Sequence, residues 1–374
     1  MSRFLSAITL FIMSTLCSQA GQYRLYIGTY TNEAGSAGIY TLTLDSDTGR
    51  LSEPILAAAA LNPTFLCLHP TLGVLYATGE IDGAYGGFKS YRIDPTSGLL
   101  TASGERPVSA RNAACHVAVS PDGKYLAGAN YNAAWVATMP LDPDGTIGPV
   151  ASLITQEGTL GPRKARQDKA HAHSTQFSPD GHTLFACDLG LDSIITYKIE
   201  AATGVLTPST VIRSASGAGP RHSRPSADGR LLYVLNELSG SLDVFTLTGQ
   251  EAPALLESHP CLAPDFAGEN SSAEVAIHPS GRFLYASNRG PDTVTVFQVN
   301  PTTGRLTLVG RVPSGGRHPR HFGLSPDGNW MVCANRDTNS LVLFRIDPAT
   351  GLPSPTGTSV RVPQAVCVVF KTLR

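Results

Sequence analysis

The stretch AEVAIHPSGRFLYASNRGPDTVTVFQVNPTTGRL, residues 273–306, decides the fold. An apolar run ends in the turn His278-Pro279-Ser280-Gly281, and a second run, FLYASN, ends at Arg289-Gly290. TVTVFQV then alternates apolar and polar residues with a period of two, and the turn Pro301-Thr302-Thr303-Gly304 leads into another apolar start. Such alternation, broken by Gly, Pro, Asn and Asp, reads as successive antiparallel strands.

The same unit recurs along the chain. With the glycine of the first turn as marker, copies fall at Gly73, Gly123, Gly181, Gly229, Gly281 and Gly328, separated by 50, 58, 48, 52 and 47 residues. A seventh copy is split between the ends: RLYIGTYT (24–31) and GIYTLTLDSDTGRL (38–51) supply its later strands, and AVCVVF (365–370) supplies its first. Repeats of about 40 to 50 residues holding four strands are propeller blades. The expected fold is therefore all-β: a seven-bladed β-propeller of four-stranded blades, its ring closed by the C-terminal strand joining the N-terminal blade, which leaves no edge unpaired at the closure. No linker or change of composition divides residues 21–374, which read as one propeller domain.

Composition agrees with a turn-rich β protein: 37 Gly and 27 Pro accompany 42% hydrophobic and only 15% charged residues. The formal net charge of -1 supplies no broad cationic field for a phosphate backbone, so no nucleic-acid partner is expected. Arg3, the uncharged run Phe4 to Leu16 and the small residues of Ser18-Gln19-Ala20 read as a signal peptide over residues 1–20, placing the mature protein in the periplasm or outside the cell. The 13 residues of that run fall short of the roughly 20 needed to span a bilayer, and no other stretch is long enough, so no membrane span is expected. Beyond the leader lie Cys67, Cys115, Cys187, Cys261, Cys333 and Cys367, five of them inside apolar runs and none in a CxxC pair, which favours buried free thiols.

Within a blade, the start of the first strand and the end of the second emerge on one face, so residues at equivalent offsets form rings around the axis. Five residues before the serine of the first turn, or its counterpart, stand Cys115, His173, Arg221, Ala273 and Arg320. After the recurring Asn at the end of the second strand stand Tyr30, Glu80, Tyr131, Leu189, Glu237, Arg289 and Arg336. His173, Arg221, Glu237 and Arg289 come from three successive blades and should cluster on one side of the funnel. Guanidinium forks bind an anion bidentately or stabilise an oxyanion, and a nearby His or Glu moves a proton. The alternative is a set of rim ion pairs, such as Glu237 with Arg289, holding blades together. The pair His171 and His173 is set aside as a metal site for want of an acidic partner near by.

From about Tyr26 to Phe370 the chain resembles the seven-bladed propeller lactonases, a family that includes bacterial 6-phosphogluconolactonase of the cycloisomerase type and fungal carboxymuconate lactonizing enzyme. The resemblance is carried by YIGTYT (26–31), HAHSTQFSPDG (171–181), GAGPRH (217–222), LYVLNEL (232–238), AEVAIHPSGRFLYASNRG (273–290) and AVCVVF. The family's proposed site, matched residue by residue, falls on His173, Arg221, Glu237 and Arg289, the four already chosen by the rings. The resemblance implies hydrolysis of a small anionic lactone, with His173 or Glu237 as general base or acid, Arg221 and Arg289 as anion clamp, and neither metal nor organic cofactor. Arg320 and His321 are expected to border the pocket, and Glu80 and Arg336 complete the expected substrate-binding set. An exported chain departs from the cytoplasmic phosphogluconolactonase, since phosphorylated lactones are scarce outside the cell. Two further readings stay open: a non-enzymatic propeller binding a glycan or protein partner, and a lactonizing cycloisomerase.

Overall fold

The computed structural model describes residues 22–31, 35–80, 86–109, 114–247 and 253–373. The expected signal peptide, residues 1–20, lies outside the described residues. Every regular element described is a β-strand, and the strands form seven antiparallel sheets. One sheet is split as expected: Ala365–Leu373 pairs with Gln22–Thr29, with Tyr26 opposite Val369, and Gly38–Asp45 follows outward. The seven innermost strands touch in sequence around a closed circuit, namely Leu66–Leu68, His116–Val119, Ala172–Phe177, Pro220–Pro225, Ser271–Ile277, Pro319–Leu324 and finally Ala365–Leu373, which returns to the first. The chain is thus a seven-bladed propeller closed by its own C-terminal strand.

Its apolar core is divided among the seven contacts between neighbouring blades. Tyr125, Ala127 and Val136 of the third blade meet Phe177, Leu184 and Tyr197 of the fourth, and Phe283, Tyr285 and Val296 of the sixth meet Phe322, Met331 and Phe344 of the seventh. Each fully buried aromatic or aliphatic side chain contributes about 1.5–3 kcal/mol. All six cysteines of the described residues are free and five of them are buried, Cys187, Cys333 and Cys367 within strands and Cys115 and Cys261 beside strand ends.

The repeated Leu-Tyr and Pro-x-x-Gly motifs meet across blade boundaries. Tyr26, Tyr76, Tyr233 and Tyr285 each donate from the hydroxyl to a glycine carbonyl in the turn of the next blade, at Gly98 (3.0 Å), Gly145 (2.7 Å), Gly304 (3.1 Å) and Gly351 (2.8 Å). Gly351 has φ of 74°, and a Cβ there would stand 2.4 Å from the Phe283 ring, so the turn requires glycine for both conformation and space. Tyr285→Phe leaves a buried carbonyl without its donor and should cost about 1–3 kcal/mol, read as a lower urea midpoint at unchanged slope. An unchanged midpoint would reject the hydroxyl as a staple between blades.

Candidate active site

Three of the site residues owe their direction to one recurrent irregularity. In the fourth blade Ala172 faces Asp188 and Ser174 faces Cys187; in the fifth Pro220 faces Asn236 and His222 faces Leu235; in the seventh Pro319 faces Asn335 and His321 faces Ala334. His173, Arg221 and Arg320 are each the extra residue of a β-bulge, which lets two consecutive side chains reach the axis where regular alternation allows one. Glu237 and Arg289 come from the ends of the neighbouring second strands, the amide of Glu237 being held by the Gly219 carbonyl at 2.7 Å.

The four residues converge on the Glu237 carboxylate, which is 3% exposed. Arg221 Nε is 2.9 Å and Arg289 Nη2 3.1 Å from Oε2, with His173 Nε2 3.8 Å from the same oxygen. On the other oxygen, Oε1, lie Arg166 Nη2 at 2.5 Å and the Ser271 hydroxyl at 3.0 Å. Arg289 is further tied to the Ser271 carbonyl (2.7 Å) and hydroxyl (2.7 Å). The Glu237–Arg289 pair therefore does join two blades, as the ion-pair alternative expects, and it does so at the centre of the charged cluster.

Burial pushes the Glu237 carboxyl up, but Arg289, Arg221, His173 and Arg166 outweigh it and hold the group well below the usual carboxylate range. For His173 burial and the Arg221 charge both oppose protonation, against Glu237, so the imidazole stays neutral well below its ordinary value. Burial lowers Arg289 to about 9 despite Glu237 beside it. His173 Nδ1 is buried without a hydrogen-bond partner and Nε2 makes no hydrogen bond among the described residues.

Arg320 lies beside the cluster, its guanidinium 5.4 Å from the centre of the Tyr30 ring and without a carboxylate partner among the described residues. It shares a narrow axial pocket with Arg221, Glu80, Thr64, Phe65 and Cys115. Glu80 accepts from the Thr64 hydroxyl (2.5 Å) and from Tyr30 (3.3 Å). His321 sits apart from these: its Nε2 lies 3.4 Å from Glu274, and the residue lines a cavity of about 390 Å³ at the opposite mouth of the axis. Arg336 is turned to Asp337 at 2.8 Å. His171 has an acidic partner after all, Asp168 three residues upstream at 3.0 Å, and it stacks on Tyr131. No group of three His, Cys, Asp or Glu among the described residues is arranged to hold a metal.

Sequence reasoning missed Arg166. It stands outside the repeat, in the connection between the third and fourth blades, where Gln167 is anchored to Asp192 (2.7 Å) and the Leu189 carbonyl (2.9 Å). The one available signal was the 58-residue marker spacing, the longest of the five, which betrays an insertion there. Also missed were His116, His222 and Glu274, one position beyond the first ring, because regular alternation turns that position away from the axis.

Comparison with known proteins agrees with this fold. Residues 24–370 match the family described as "Lactonase, 7-bladed beta-propeller". A 6-phosphogluconolactonase of Bacillus subtilis is 36% identical over 304 residues, covering 80% of this chain and 84% of that protein. One of Formosa agariphila is 32% identical, covering 80% and 86%. The solved structure of a periplasmic gluconolactonase of Pseudomonas aeruginosa superposes with a TM-score of 0.87 at 33% identity, covering 94% of this chain and all of that one, 100%. By blade count, closure and length of match, this chain belongs to the seven-bladed β-propeller lactonases.

Proposed function

We propose that the protein is an exported lactone hydrolase that opens a sugar lactone of the gluconolactone type, phosphorylated or free. The observation that carries this reading is the convergence of His173, Arg221 and Arg289 on one buried carboxylate that cannot neutralise the guanidinium groups. Arg166, Arg221 and Arg289 surround Glu237, and Arg221 and Arg320 share the axial pocket with Glu80, an excess of positive charge suited to an anionic ligand or an oxyanion.

Glu237 is a poor base because both of its oxygens are occupied by donors. His173 is the better one, since neither of its ring nitrogens is engaged by a described hydrogen-bond donor. In this mechanism Nε2 takes a proton from water as the water oxygen bonds to the lactone carbonyl carbon. The resulting oxyanion is stabilised by guanidinium N–H groups, the ring C–O bond breaks, and the imidazolium returns the proton to the departing alkoxide, leaving a hydroxy acid. Glu237 holds the arginines in place throughout.

The expected leader favours a substrate met outside the cytoplasm, as does the likeness to a periplasmic gluconolactonase, so free gluconolactone ranks before its 6-phosphate. Arg320, lacking a carboxylate partner among the described residues, is the group expected to meet an anionic substituent if the substrate carries one.

His173→Ala should lower kcat for gluconolactone opening by about 10²–10⁴-fold, after correction for spontaneous hydrolysis, with the unfolding midpoint little changed. Equal turnover by wild type and variant would remove His173 from the chemistry. Because the base works unprotonated and its pKa lies well below 6.5, kcat/KM should stay level from about pH 8 to about pH 6 and fall only in more acidic solution. A fall centred on the ordinary histidine value would mean that His173 is not the titrating base.

A further inference from the structure

Beneath the arginine cluster, on the axis, the second side chains of the bulged strands form a layer of their own. Arg221 Nη1 lies 2.9 Å from His222 Nε2 and donates also to the Ala273 carbonyl at 2.6 Å, while Arg221 Nε is spent on Glu237. His222 Nδ1 lies 2.9 Å from Glu274 Oε2. Glu274 is itself held by Arg224 at 2.8 Å through Oε1 and at its amide by the Ser287 hydroxyl at 3.0 Å. Glu274 and His222 are each 1% exposed.

Donor and acceptor arithmetic leaves one arrangement. A guanidinium only donates, so His222 Nε2 accepts from Arg221; the neutral ring then carries its proton on Nδ1 and donates it to Glu274. With Nε and both hydrogens of Nη1 engaged, Arg221 keeps only Nη2 without a partner among the described residues, and Arg221 lines the axial pocket. We propose that Glu274 and His222 are positioning residues, a carboxylate–imidazole relay that fixes the Arg221 fork so that Nη2 alone is presented to the lactone. This role rests on the lactonase reading given above. Glu274 lies towards the far mouth of the axis, and His222 borders the axial pocket behind Arg221, its Nε2 already taken by the guanidinium.

The neighbouring histidines provide an internal control. His116 Nδ1 accepts from the Thr175 amide and His321 Nδ1 from the Val368 amide, both at 3.3 Å, so each carries its proton on Nε2. In protein carrying ¹⁵N-labelled histidine, His222 should show a protonated Nδ1 and a bare Nε2, the opposite of His116 and His321, with the assignment confirmed by loss of the signal in His222→Phe. Glu274→Gln keeps an acceptor for Nδ1–H and should retain that tautomer and most of the activity. His222→Phe should lose about ten- to hundredfold in kcat with a smaller change in KM, the scale on which partners behind a working group act. A His222 proton on Nε2, or a folded His222→Phe variant with wild-type kcat beside an impaired Arg221→Lys, would overturn the relay. The tautomer signal needs no substrate: a wild-type protein inactive on gluconolactone and its 6-phosphate would overturn the lactonase reading, while the relay would still stand or fall on that signal.

Discussion

One buried carboxylate organises the site. Removing Glu237 from water is costly, and that cost is offset only because three guanidinium groups and a hydroxyl take up both of its oxygens. The three arginines reach it from different places: Arg166 from the connection ahead of the fourth blade, Arg221 from the inner strand of the fifth and Arg289 from the second strand of the sixth. The ion pairs therefore set the spacing of neighbouring blades at the axis and the position of the charged cluster together. They also leave net positive charge, because one carboxylate cannot balance three guanidiniums, and that residue of charge is what an anion or oxyanion would meet.

The propeller makes room for such a cluster by keeping its apolar packing elsewhere. Seven hydrophobic wedges lie between blades, four of them stapled by tyrosine hydroxyls on glycine carbonyls, so the axis is free to carry polar groups. Those groups are stacked in depth. The arginines and Glu237 lie towards one mouth, His116, His222, His321 and Phe65 pack ring against ring below them, and Arg224 and Glu274 line the cavity at the other mouth. The ring layer closes the axis between the two mouths and lowers the proton affinity of its own histidines by burying them, His116 to about 3.

Local irregularity supplies what the repeat by itself would not. A β-bulge at the same place in the fourth, fifth and seventh blades sends two consecutive side chains to the axis, so each blade contributes both a site residue and a supporting residue beneath it: His173 with Ser174, Arg221 with His222, Arg320 with His321. The Ser174 hydroxyl shows the second role plainly, donating to the Arg221 carbonyl at 2.7 Å and so tying two bulges together. The charged cluster is placed on a symmetric frame by breaks in its alternation at particular points.

The sequence by itself determined the blade count, the split blade and the ring closure, because strand alternation and turn chemistry are local and recur seven times. It also singled out His173, Arg221, Glu237 and Arg289, because repeats make equivalent positions comparable within one chain and charge stands out among small residues. Only the tertiary structure decided which of these touch. It put Glu237 at the centre, brought in Arg166 from outside the repeat, sent His321 to Glu274 and Arg336 to Asp337, and gave His171 its partner in Asp168. The physical reason is that a bulge changes the direction of a side chain without changing the pattern of apolar residues around it, and an inserted connection has no register. Both are settled by the closing of the ring, where residues far apart in sequence compete for the same few oxygens.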